Sequence, residues 1–263
     1  MAYYFNLPLI TSLTIDQQAA VDEVEALALS GGPGTGKSVV CLWRHIRNHS
    51  TGAANSLLLT YTKTLEYYLK QSALTQNAES ANNISRTLWW THHEKMKYDE
   101  IIIDEGQDVS PDNYEILKSW SDSISYGADD AQSLYEHGST PEQLLQAFPD
   151  NEEYTLYKNF RNSNEILLLI RSIFPKFLIP HDTINSAQQT GLKPIVKIVG
   201  WDENDMIASI VNIINDFASD THNIGIVVPS QKDVTKFFNL IKGDISNKRL
   251  SKYEGEMSNF EAF

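Results

Sequence analysis

The stretch Gly31-Gly32-Pro33-Gly34-Thr35-Gly36-Lys37-Ser38 constrains this chain more than any other. It has the spacing G-x-x-x-x-G-K-[ST], and its flanks suit that pattern. Residues 26–29 form a short apolar run with Ser30 closing it, and Val39, Val40, Trp43 and Ile46 then follow at helical spacing. A strand, a glycine turn and a helix are therefore expected in that order. Glycines at Gly32, Gly34 and Gly36 let successive backbone N–H groups face inward, and Pro33 and Thr35 complete the turn. The helix N-terminus that follows adds partial positive charge, which suits a bound phosphate. Lys37 is placed to reach the β- and γ-phosphates, and the Ser38 hydroxyl to ligate magnesium. The pattern predicts binding of a nucleoside triphosphate with Mg2+ through Gly32, Pro33, Gly34, Thr35, Gly36, Lys37 and Ser38.

A second acidic signal supports that expectation. Ile101-Ile102-Ile103 reads as a buried strand that delivers Asp104 and Glu105 at its carboxyl end. Asp104 is expected to hold magnesium through the metal's water shell, and Glu105 to polarise an attacking water. Gln107 and Asp108 extend the run to D-E-G-Q-D. Ser110-Pro111 then has the form of an N-cap followed by proline in the first turn. Further along, Gln132 follows a strand over residues 123–127, where its amide can contact the γ-phosphate.

Other stretches are read from pattern alone. Residues 56–60 are a continuous apolar run like a parallel strand buried on both faces. Thr60-Tyr61-Thr62-Lys63 then lies at its carboxyl end, where α/β sheets place ligand-contacting loops. Thr14 and Gln17 have capping-box spacing, so Gln17 either satisfies backbone N–H groups or reads an adenine edge. Trp89 and Trp90 point in different directions, so one is expected in the core and the other can stack a base. Pro149-Asp150-Asn151 resembles a hinge, and it divides the chain into domains 1–150 and 151–263. Past it, residues 154–157, 194–199 and 224–228 read as strands alternating with helices, as expected of parallel α/β structure.

Composition excludes several classes. No apolar run reaches the roughly 18 residues of a membrane span, so no membrane partner is expected. The single cysteine, Cys41, allows no intrachain disulfide and fits a reducing compartment, so the cytoplasm is the expected location. The net charge of −13 gives no overall basic footprint for nucleic acid. Any such contact is expected to be local.

Taken together, the motifs resemble the UvrD/Rep-like branch of superfamily 1 helicases. Residues 13–17 resemble the Q motif, 31–38 motif I, 57–63 motif Ia and 101–108 motif II in its D-E-x-Q-D form. Residues 127–135, with Gln132-Ser133-Leu134-Tyr135, resemble motif III, and Lys158-Asn159-Phe160-Arg161-Asn162-Ser163 resembles motif IV, usually N-Y-R-S. The resemblance implies two RecA-like α/β domains, the second incomplete, and a DNA helicase or translocase that hydrolyses ATP. It implies that Gln17 recognises adenine and that Phe160 stacks on the base. Arg161 would reach the γ-phosphate from the second domain, and single-stranded DNA would lie near Thr60, Tyr61, Thr62 and Lys63.

Departures from the family pattern are informative. Motif Ia ends at Lys63 and motif II begins at Ile101, too short an interval for an inserted accessory domain. No T-x-H-x-x-K-G or V-A-x-T-R-A segment is present, so motifs V and VI are absent up to Phe263. The expected activity is ATP hydrolysis that is slow without those elements. A rival expectation is a nucleotide-dependent switch with a degenerate helicase core that acts on a protein partner.

Overall fold

The structure, a computed structural model, describes residues 7–93, 96–129, 132–133, 135–176, 179–200, 202–219, 221–245 and 248–252. Among them the chain divides into two compact units at Pro194/Ile195.

The first unit is built on a six-stranded sheet. Its strands are β1 (Leu27–Gly31), β2 (Ser56–Thr60), β3 (Ile84–Arg86), β4 (Glu100–Asp104), β5 (Ile124–Ala128) and β6 (Glu152–Leu156). They lie in the order β3-β2-β4-β5-β1-β6, and every pair is parallel. The helices are α1 (Ile15–Asp22), α2 (Lys37–Thr51), α3 (Lys63–Leu74), α4 (Ala78–Asn82), α5 (Thr87–His93), α6 (Pro111–Lys118), α7 (Pro141–Ala147), α8 (Asn164–Ile173) and α9 (His181–Ser186). This is a RecA-like P-loop α/β fold, as the sequence leads one to expect.

The apolar runs form strands because both faces of this sheet are covered. All five residues of β2, β4 and β5 are buried. Alternation along each strand sorts them between two cores. Leu27, Leu29, Leu58, Ile84 and Ile102 join Val40, Trp43 and Ile46 of α2 on one face. Ala28, Leu57, Leu59, Ile101 and Ile103 join Trp90, Tyr114 and Leu117 on the other. Cys41 is 1% exposed, a small apolar filler of the first core. The turns follow local chemistry. Thr14 and Thr140 complete capping boxes, Ser110 caps α6 ahead of Pro111, and Ser163 caps α8.

One strand changes the domain boundary. Residues 152–156 do not begin a second domain; β6 pairs along β1, from Leu27 opposite Glu152 to Gly31 opposite Leu156. Asn151 is no hinge either. Its Nδ2 donates to the carbonyls of Leu27 (3.1 Å) and Ile124 (2.9 Å), and Glu152 N donates to Ala26 O (2.8 Å). These bonds lock the segment to the amino edge of the sheet. The break falls at 194/195 instead of 150/151.

In the second unit, α10 (Glu203–Phe217) and α11 (Gln231–Lys242) pack through Ile207, Ile214, Ile241 and Ile245. Glu203 and Lys236 join them as an ion pair. The expected strands over 194–199 and 224–228 do not form. Ile198 is 93% and Val227 95% exposed. A parallel strand needs a hydrogen-bonding neighbour, and the described residues of this unit provide only an isolated bridge between Ser219 and His222. A second RecA-like sheet is therefore not formed among them.

Candidate functional site: a phosphate loop at the carboxyl edge of the sheet

The carboxyl ends of β1, β4, β5 and β6 gather the candidate residues. After β1 the backbone turns through Gly34 (φ 79°) and Gly36 (φ 93°), and Gly36 caps the N-terminus of α2. Both angles lie in the left-handed region that glycine tolerates. Space demands glycine as well. A Cβ on Gly36 would lie 2.5 Å from Gln17 Nε2, and one on Gly34 would lie 2.7 Å from Arg161 Cβ.

Gln17 is 4% exposed, and the protein engages both ends of its amide. Its Oε1 accepts from Thr14 N (3.0 Å), and its Nε2 donates to Thr35 O (3.0 Å). Capping is thus the role the structure gives Gln17, and the same side chain braces the phosphate loop from behind. Thr35 Oγ1 closes the loop on Gly32 O at 2.8 Å. Lys37, 7% exposed, folds along the loop and donates to Gly31 O (2.7 Å) and Gly32 O (3.2 Å). It also pairs with Asp129 Oδ2 at 3.4 Å.

The acidic strand end faces this lysine. Asp104 is 1% exposed and takes a hydrogen bond from Ser38. Burial, followed by the adjacent Glu105 charge, raises its pKa to about 7, against the opposing pull of Ser38 and Lys37. Its Oδ2 is buried without a hydrogen-bond partner. An orphaned carboxylate oxygen beside a serine hydroxyl suits a hard divalent cation, which would compete with the proton for that oxygen. No cluster of three or more His, Cys, Asp or Glu able to hold a metal occurs among the described residues. One buried carboxylate oxygen beside one hydroxyl fits magnesium, which takes few protein ligands and completes its shell with water and phosphate.

Glu105 follows with φ 60° and ψ 48°, the one non-glycine residue at positive φ among those described. Such backbone costs about 1–3 kcal/mol and persists only where neighbours hold it. Gln107, 1% exposed, is one of those neighbours. Its Nε2 donates to Glu105 Oε2 (2.8 Å), and its Oε1 accepts from Asp129 N (3.0 Å). Gln132 Nε2 donates to Asp129 Oδ2 at 2.5 Å. A polar chain thus runs from Glu105 through Gln107 and Asp129 to Lys37 and Gln132. The sequence gives Asp129 no role of its own and Gln107 only a place in the D-E-G-Q-D run. Asp130, Ala131 and Leu134 of the motif III stretch lie outside the described residues.

The loop after β6 completes the site. Because β6 runs parallel beside β1, residues 158–163 emerge next to the phosphate loop. Phe160 N donates to Gly34 O (2.9 Å), and Asn159 Nδ2 donates to Pro33 O (2.6 Å). Arg161 therefore approaches the loop from the same unit, and it does not reach across from a second domain. Phe160 is 53% exposed, with the Lys158 ammonium 5.1 Å from its ring centre. A cavity of about 480 Å³ borders this loop, lined by Gly31, Pro33, Asp129, Asn159, Leu144 and Ile170 among others.

At the end of β2, Thr60 is fully buried and only the residues after it reach the surface. Thr62 caps α3 by accepting from Leu65 N. Tyr61 Oη meets His137 Nε2 at 3.0 Å, and its ring lies 4.7 Å from that of Tyr135. Trp90 is buried, whereas Trp89 is 38% exposed and stacks on His93 at 5.0 Å.

A family model described as an AAA domain matches residues 17–137. No curated protein matches the chain. Among solved structures, the chain is similar to a Pif1 helicase from a structure of two coordinating copies unwinding forked duplex DNA. The identity is 15% and the TM-score 0.38, over 60% of this chain and 47% of that one. It is also similar to the replication initiator DnaA bound to AMPPCP and single-stranded DNA, at 12% identity and TM-score 0.33, over 65% and 52%. The PRRSV helicase matches at 12% identity and TM-score 0.37, over 62% and 36%. The chain thus spans about half or less of the length of these structures. The phosphate loop, the acidic strand end beside it and the parallel sheet that aligns them give the first unit of this chain its RecA-like P-loop α/β fold.

Proposed function

We propose that this chain is the ATP-binding and ATP-hydrolysing core of a UvrD-like superfamily 1 DNA helicase or translocase. The observation that carries the reading is the docking of residues 158–163 on the phosphate loop, which brings Phe160 and Arg161 against Gly34.

Each residue has a role in this reading. Backbone N–H groups of Gly32, Gly34, Thr35 and Gly36 cradle the phosphates around the turn that Pro33 shapes, and the Lys37 ammonium exchanges its carbonyl and Asp129 partners for phosphate oxygens. Ser38 and Asp104 hold magnesium, which when bound neutralises charge that develops on the phosphates. Glu105 accepts a proton from the attacking water, and Gln107 fixes the carboxylate while it does so. Gln132 contacts the γ-phosphate from the Asp129 end of the polar chain. Arg161 supplies positive charge to the γ-phosphate, and Phe160 offers a face to the base. Tyr61, Tyr135 and His137, with Thr62 and Lys63 beside them, form an aromatic surface for single-stranded DNA, where stacking is worth about 1–3 kcal/mol per base.

The charge of −13 favours a second reading, a nucleotide-dependent switch acting on a protein partner. ATP hydrolysis with and without single-stranded DNA separates the two. The helicase reading expects slow turnover that rises several-fold with DNA and loses that rise in Tyr61→Ala. Turnover indifferent to DNA would favour the switch.

A further inference from the structure

We propose that Asn159 is a positioning residue that acts through Arg161, locking the loop after β6 onto the phosphate loop. This inference rests on the reading of Arg161 as a γ-phosphate ligand.

Asn159 is 3% exposed, deep for a polar loop residue, and its amide is used at both ends. The oxygen accepts from Arg161 N (3.0 Å) and Asn162 N (2.8 Å), which fixes the turn that presents the arginine. The nitrogen donates to Pro33 O (2.6 Å), inside the phosphate loop. One side chain therefore joins the backbone that carries the arginine to the backbone that would cradle the phosphates. Gly34 makes the approach possible: a Cβ there would lie 3.1 Å from Asn159 Oδ1 and 3.3 Å from Nδ2, in addition to its clash with Arg161. The bond from Phe160 N to Gly34 O is the second stitch of the same seam. Asn159 does not cap the following helix; Ser163 does, by accepting from Ile166 N. Its bonds serve the seam and the turn.

Donor and acceptor contribute differently, and that makes the role testable. Asn159→Asp keeps an acceptor for Arg161 N and Asn162 N but sets a carboxylate oxygen against Pro33 O. Asn159→Ala removes both bonds. If the role were only to shape the turn, the aspartate variant would behave as wild type.

The readout is discrimination for the γ-phosphate, the ratio of ADP to ATPγS dissociation constants in magnesium buffer. It needs no turnover, and loss of stability alone would weaken both ligands alike. Loss of one such tie is expected to cost about tenfold. Arg161→Ala is expected to collapse the ratio, and Asn159→Ala and Asn159→Asp to lower it about tenfold. The Asn159→Ala/Arg161→Ala double variant is then expected to be no worse than Arg161→Ala, because both changes remove one interaction. A wild-type ratio in Asn159→Asp, or additive losses in the double variant, would overturn the positioning role while leaving Arg161 in place. An unchanged ratio in Arg161→Ala would instead overturn the reading of Arg161, and this inference with it. If Asn159→Ala does not fold, Asn159→Asp alone decides.

Discussion

Glu105→Gln is expected to lower ATP hydrolysis by about 10²- to 10⁴-fold, the usual worth of a positioned general base, and to leave nucleotide affinity in place. Glutamine has the same shape and still offers Gln107 Nε2 an oxygen, so the bond at 2.8 Å is retained. What is lost is the ability to take a proton. The carboxylate stands one residue beyond Asp104 on a left-handed backbone. A fall in kcat with unchanged binding is the signature of an interaction made only in the transition state. A parallel loss of affinity would place Glu105 among the binding residues instead.

Glu100→Ala is expected to destabilise the first unit by about 3–5 kcal/mol, the cost of stranding one partner of a buried ion pair. At the amino end of β4, Glu100 is 4% exposed and Arg44 of α2 only 1%. Glu100 Oε1 accepts from Arg44 Nε (2.7 Å) and Ser125 Oγ (2.5 Å), and Oε2 accepts from Asn48 Nδ2 (2.6 Å). The same guanidinium donates to Glu23 O (2.6 Å) and Glu25 O (2.7 Å), just ahead of β1. Removing the carboxylate leaves three donors without an acceptor and an uncompensated guanidinium in the core. For a chain of this size that predicts a fall in Tm on the order of 10 °C, read by thermal denaturation. Glu115→Ala is the control. Its pair with Lys118 is solvent-facing, with 71% of the Glu115 side chain exposed, and it should leave Tm unchanged.

That buried network marks where sequence reading stops. The apolar positions of α2 were legible from their spacing, because periodicity reports which face is covered. Arg44 and Asn48 gave no such signal: a buried charge is tolerated only through partners from other strands, and those partners are distant in sequence. The phosphate loop and the Asp104-Glu105 pair were legible because their chemistry is local. Pairing of β6 with β1 was not, since a short strand carries no record of its neighbour. That one pairing decided the domain boundary and the side from which Arg161 approaches. Gln17 satisfied two local patterns at once, and only tertiary contact with Thr35 O showed how its amide is engaged. The helix α9 and the short pieces α4 and β3 fell in stretches too brief for periodicity to register. Residues 194–199 and 224–228 have strand character in sequence, yet strand formation also requires a partner to pair with.

The most direct test of the central claim is calorimetric titration of ATP in magnesium buffer into the wild-type chain and Lys37→Ala. Lys37 is 7% exposed, and its ammonium lies on the loop, donating to Gly31 O and Gly32 O. The wild-type chain is expected to bind one nucleotide, and the variant to bind it about 10- to 100-fold more weakly, the worth of a charge-assisted contact. Absence of binding by the folded wild-type chain, or equal affinity in the variant, would contradict the assignment of this loop as a nucleotide site.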